Sequence, residues 1–65
     1  MTLQWEPTGY EVQVMKMAAQ ELPWEQGAWV NACAEFLREQ GCLTRTGTLT
    51  YKGHVLLEEY RHVII

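Results

Sequence analysis

Sixty-five residues, 48% of them hydrophobic, suffice for one small globular domain over residues 1–65 and are too apolar for a disordered chain. The formal net charge is −3, from eight acidic and five basic side chains, which disfavours nonspecific phosphate binding and suits a protein partner, or a basic protein as target, better. Serine and aspartate are both missing from the sequence, which removes most of the usual hydrolase constellations.

In chain order, residues 1–7 carry Trp5 and Pro7 and read as an extended arm. Thr8, Gly9, Tyr10 and Glu11 then spell a capping box, in which the threonine hydroxyl and the glutamate satisfy backbone amides reciprocally. This predicts a first helix over residues 9–20. Gln13, Lys16 and Gln20 form one narrow polar wedge on its wheel, while Tyr10, Val14, Met15, Ala18 and Leu22 occupy the wide apolar side, as in a mostly covered helix. Pro23 stops this helix or opens the next.

A second helix is predicted over residues 26–40. Trp29, Cys33, Phe36 and Leu37 recur at i, i+4, i+7 and i+8, which makes them one buried stripe with Val30 at its margin. Asn31, Glu35 and Arg38 fall on the opposite face. Gly41 suits a left-handed helix stop.

Residues 42–50 read as a β-hairpin. Leu43 and Leu49 are both apolar and both border a core helix, so they are expected to oppose each other. The loop then consists of Arg45, Thr46 and Gly47, with Thr44 facing Thr48. Such a loop combines a type I turn with a left-handed residue, and Gly47 stands where that residue is needed. Thr50 is a suitable N-cap for a third helix over residues 51–62. Leu56, Leu57, Tyr60, Val63 and Ile64 line one side of it; His54, Glu58 and Arg61 line the other. Gly53 lies toward the apolar side, where a missing side chain permits close packing. The expected fold is α+β, mainly helical: three helices with a hairpin between the second and third.

Little here carries catalytic or metal chemistry. Cys33 and Cys42 are the only cysteines. Along one helix they lie about 12 Å apart, beyond the roughly 7 Å a disulfide tolerates. A Cys-His nucleophile would draw on these thiols with His54 or His62, but both cysteines sit among apolar neighbours, where a thiol packs as a small hydrophobe. His54 and His62 are two turns apart, and His54 with Glu58 supplies only two ligands, so no metal site is expected. No phosphate-binding glycine loop occurs. The expectation is a non-enzyme without cofactor. Two free thiols, no signal-like apolar segment and no long apolar run point to a cytoplasmic protein with no membrane contact.

The succession of a helix, Gly41-Cys42-Leu43, a short hairpin, then Leu49-Thr50-Tyr51-Lys52-Gly53 and an apolar helix resembles the wing region of prokaryotic winged-helix proteins, over about residues 29–60. That resemblance implies a wing tip at Arg45, Thr46 and Gly47, with Arg45 and nearby Lys52 as the nucleic-acid contacts and the second helix in the recognition position. The chain departs from the pattern in two places. The outer face of the second helix offers Asn31, Glu35 and Arg38, with Glu25 and Glu39 nearby, and is net negative where a DNA-reading helix brings positive charge. The short helix that precedes a recognition helix has only residues 21–26 to form from, and Pro23 interrupts them.

The leading expectation is therefore a small regulatory or accessory protein of bacterial or phage type that binds another protein. Trp24, Glu35, Arg38 and Arg45 are its candidate interface, since an exposed tryptophan is a common hot spot. Folding of Trp24 under the first helix is the competing reading. The alternative function is a winged-helix DNA-binding transcriptional regulator using Arg45 and Lys52. Trp5 and the apolar residues 63–65 are further contact candidates and make a homodimer as compatible with the sequence as a monomer.

Overall fold

The computed structural model describes residues 5–63, and within them the fold is all-α. Helix α1 spans Gly9–Ala18, α2 Ala28–Glu39 and α3 Tyr51–Tyr60. Part of the predicted arm (residues 1–4) and two residues of the apolar tail (64 and 65) lie outside the described residues.

The capping box forms as spelled. The Glu11 carboxylate accepts the Thr8 amide at 3.1 Å, and the Thr8 hydroxyl accepts the Tyr10 amide at 3.3 Å. The helix ends two residues before its predicted limit because Gln20 turns into the left-handed region, at φ 66°. From there the Gln20 amide reaches the Met17 carbonyl and the Glu21 amide reaches that of Lys16, the paired bonds of a Schellman stop. A non-glycine residue pays about 1–2 kcal/mol for that conformation.

Helix α1 is the middle element and packs against both α2 and α3. Val12, Val14, Met15, Met17 and Ala18 are accordingly buried around most of its circumference. Tyr10 and Leu22, which the wheel assigns to the covered side, are instead exposed, since they lie at and beyond the ends of the packed stretch.

Helix α2 corrects the predicted stripe. Val30, Ala34 and Leu37 point into the core, with Val30 and Leu37 fully buried, whereas Trp29 and Phe36 each keep 37% of their surface exposed. Cys33 is half-buried. Helix α2 thus contributes Val30, Ala34 and Leu37 to the same core cluster as Val12, Val14, Met15 and Met17 of α1. The helix starts at Ala28 with Gly27 as N-cap, so residues 21–27 form a loop and no short helix precedes it.

Between α2 and α3 the predicted β-hairpin is not formed: no strand occurs among the described residues, and only an isolated antiparallel bridge joins Leu43 to Leu49. The bridge is flanked by the Thr44 amide bonding the Thr48 carbonyl at 2.9 Å and the Thr50 amide bonding the Cys42 carbonyl at 3.1 Å. Gly47 takes the left-handed conformation, at φ 88°. Pairing stops after this one step because both flanks are claimed by other bonds. On the turn side the Thr48 amide goes to the Thr44 hydroxyl, at 3.2 Å. On the helix side the Cys42 amide closes α2 by bonding the Leu37 carbonyl, and the Thr50 hydroxyl caps α3 through the Gly53 amide. The segment is a bridged turn between two helix caps, with no wing of paired strands.

That junction fastens α2 to α3. The last carbonyls of α2 and its stop are taken up by the first residues of α3: Gln40 by the Lys52 ammonium at 2.8 Å, Gly41 by the Thr50 hydroxyl at 2.6 Å, and Cys42 by the Thr50 amide. Gly53 lies so close that a Cβ there would collide with the Cys42 carbonyl oxygen and come within 2.9 Å of a Leu49 methyl. Leu56 and Leu57 continue the buried side of α3. At its far end Arg61 pairs with Glu58 at 2.7 Å and with Glu21 of the first loop. The Arg61 guanidinium, through this hydrogen bond, holds the Glu21 carboxyl below its ordinary pKa.

Gly53→Ala is expected to cost about 3 kcal/mol in urea unfolding, as overpacking against fixed backbone does. Gly41→Ala, which meets open space and loses only a favourable φ, should cost about 1 kcal/mol. Equal losses at the two sites would contradict the close junction.

Candidate protein-interaction face

Helix α2 carries apolar side chains on two sides, and the core uses one. On the other, Trp29, Ala32 and Phe36 follow one another at i, i+3 and i+7, the spacing of a single helix face, with half-buried Cys33 at the margin between that side and the core. Two aromatic rings lean on it, Trp5 from before α1 and Tyr10 from its first turn. Trp5 meets Phe36 edge-on at 4.9 Å between centroids, and Tyr10 meets Trp29 edge-on at 5.6 Å. Trp5 is held in place by its indole N–H, which donates to the Gln40 side-chain oxygen at 3.0 Å. Between α1 and α2 this leaves an open groove of about 480 Å³ lined by Tyr10, Glu11, Trp29, Ala32 and Cys33. A second, smaller hollow of about 220 Å³ lies by Gln13, Met17, Leu22, Pro23 and Glu25, beside the first loop.

The groove is acidic at its edges. Glu11 stands on the α1 side, where its carboxylate accepts a bond from the Cys33 thiol at 3.7 Å. Glu35 and Glu39 follow Ala32 on the opposite flank of α2, three and seven residues on, and both are exposed. None of the three is in a salt bridge among the described residues. Burial, the negative charge of Glu11 and the thiol's bond to it all push the Cys33 pKa up. Cys42 is also raised by burial, against the opposing charge of Lys52. Both thiols are free.

The structure distributes the predicted interface residues over separate places. Trp24 lies in the loop before α2 with 41% of its surface exposed. Glu35 and Arg38 are exposed on α2, and Arg38 donates from Nε to the Thr44 carbonyl at 3.2 Å, so its charge braces the turn. Arg45 is exposed at the turn itself. Lys52 spends its ammonium on the Gln40 carbonyl. Sequence reasoning missed Trp29 and Phe36 as surface residues because their spacing matches a core stripe. The signal against that reading was present: Ala28, Trp29, Val30, Ala32, Cys33, Ala34, Phe36 and Leu37 are apolar over more of the wheel than a one-sided helix can bury.

Among the described residues no helix is long and apolar enough to cross a membrane, and no three metal-ligating side chains converge. The fold defines the chain as a small three-helix domain. Comparison with protein-family models, curated proteins and solved structures gives no match to it.

Two measurements test this description. Phe36→Ala is expected to cost about 1 kcal/mol, the scale of one lost edge-on aromatic pair, while neighbouring Leu37→Ala costs about 3 kcal/mol as a core truncation. A cost at Phe36 equal to that at Leu37 would return the ring to the core. The second measurement is alkylation of Cys33 by iodoacetamide against pH, which should show a midpoint above the roughly 8.5 of a free thiol. Glu11→Gln preserves the capping box and should bring that midpoint only part of the way down, because burial, the largest cause, persists. Since the folded state favours the protonated thiol, its stabilising contribution is complete below the unfolded pKa and disappears as pH rises through the raised one.

Proposed function

We propose that this chain works as a small, non-enzymatic accessory protein by binding another protein, and that the outer face of α2 is where it does so. The observation that carries the reading is the pair of half-exposed rings, Trp29 and Phe36, braced edge-on by Tyr10 and Trp5 beside an open groove. Aromatic side chains held in position before a partner arrives supply contact area at little entropic cost, which is why they dominate interface energetics. Glu35 belongs to the rim of this face; Arg38 is exposed on the same helix, and Trp24 and Arg45 lie in the adjoining loops. With its thiols free, the chain suits a reducing, cytoplasmic setting.

The winged-helix alternative would assign Arg45 and Lys52 to nucleic acid. It draws support from the exposure of Arg45 at the turn, but Lys52 would have to give up its bond to Gln40 to take part.

A photo-reactive residue placed at exposed Ala32 should yield a discrete cross-linked protein adduct in the source cell, while the same group at Tyr51, exposed on α3, should not. No adduct at position 32 would refute the reading. A duplex-DNA mobility shift at low salt, abolished by Arg45→Glu and by added salt, would establish the alternative instead.

A further inference from the structure

Resting on that protein-binding reading, we infer that the partner presents an amphipathic helix whose apolar stripe is flanked by lysine or arginine. Three features of the α2 face converge on this occupant. The first is shape: the open groove between α1 and α2 is lined by Tyr10, Glu11, Trp29, Ala32 and Cys33, and Phe36 carries the apolar face of α2 one turn further, a strip of about two helical turns along which another helix can lie. Ala32, with its small side chain between the two large rings, lets a partner side chain insert there.

The second is charge. Glu11 lines the groove on the α1 side, Glu35 and Glu39 are exposed on α2 three and seven residues beyond Ala32, and none of the three is in a salt bridge among the described residues. No basic side chain of the protein forms a salt bridge with these three carboxylates among the described residues. Arg38 is bonded to Thr44, Lys52 to Gln40 and Arg61 to Glu21 and Glu58. An apolar stripe between two acidic edges selects a complementary stripe between two basic ones, and repels an acidic one.

The third disfavours a second copy of this chain as the occupant. A two-fold dimer through the same face would bring each subunit's Glu11, Glu35 and Glu39 against the other's, in a protein already at net charge −3. A basic helix from a different protein turns the same carboxylates into attractive groups.

The test uses two 14-residue synthetic peptides with one leucine pattern, amphipathic as helices, carrying lysine in one and glutamate in the other at every polar position. Binding of each to the full chain is followed by fluorescence anisotropy at low and moderate salt. The leucine-lysine peptide should bind at least ten-fold tighter than the leucine-glutamate one. Phe36→Glu, which adds negative charge but removes an apolar contact, should weaken the leucine-lysine peptide at least ten-fold. Attraction by charge alone would leave it unchanged or strengthen it. The exposed double change Glu35→Lys, Glu39→Lys should reverse the preference, while Glu59→Gln on α3 should leave it intact.

Equal binding of the two peptides, full binding by the Phe36→Glu protein, or a dimer of the free chain that Phe36→Glu dissociates would each overturn the inference. Should position 32 still cross-link to a partner whose contacting segment is not a basic helix, the inference fails and the protein-binding reading stands. Should no adduct form at all, both fall.

Discussion

The contact on which this domain turns is the approach of Gly53 to the carbonyl oxygen of Cys42, nearer than any side chain would allow. It brings the start of α3 against the end of α2, where carbonyls left over at the α2 terminus accept bonds from the start of α3. The orphan carbonyls of α2 accept from Thr50 and Lys52, and the orphan amide of Gly53 donates to the Thr50 hydroxyl. Burying a helix end without such partners is costly, so the junction is stable only as a set. Cys42 sits at its centre, with no exposed surface, its amide closing one helix and its carbonyl receiving the other.

Much else follows from that fastening. With α2 and α3 joined through their ends, α1 fills the space between them and is buried on more than one side, which is why its valines, methionines and Ala18 line the core. The junction also decides what basic charge remains available. Lys52 is held at the cap and Arg38 is drawn toward the turn, while Glu35 and Glu39 stand exposed on α2 without a salt-bridge partner among the described residues.

The local grammar of the sequence was legible wherever one residue type answers one backbone need. Thr8 with Glu11, Gly41 after α2, Gly47 in the turn, Thr50 before α3 and the bare surface of Gly53 all sit in the roles their chemistry suggests. The hairpin and the facing of α2 were not legible, for two different physical reasons. A strand pair requires free amides and carbonyls on both sides of the first bridge, and here the helix caps and the Thr44 hydroxyl had taken them. The facing of α2 depends on how much of its wide apolar surface α1 can cover, a tertiary quantity that periodicity does not contain. Of the candidate face, sequence reading placed Trp29 and Phe36 inside, where the structure leaves each partly exposed, while Cys33, half-buried, packs against the core as read. The winged-helix resemblance matched the order of caps and turn, but the paired strands of a wing do not form among the described residues.

The facing of α2 has an energetic logic. A domain of 65 residues has a high ratio of surface to volume and cannot enclose every large side chain it carries. Placing Val30, Ala34 and Leu37 inward lets α1 and α2 approach closely, with small or medium residues filling the contact in favourable rotamers. Turning Trp29 and Phe36 inward would force the helices apart and strain the short junction to α3. Left outside, the rings are half-covered by Tyr10 and Trp5, and the Trp5 indole is anchored to Gln40. That partial cover limits their exposure to water and fixes their orientation, so that little freedom is left to lose on contact. The same geometry that gives so small a chain a well-packed core therefore leaves its most adhesive residues ordered at the surface.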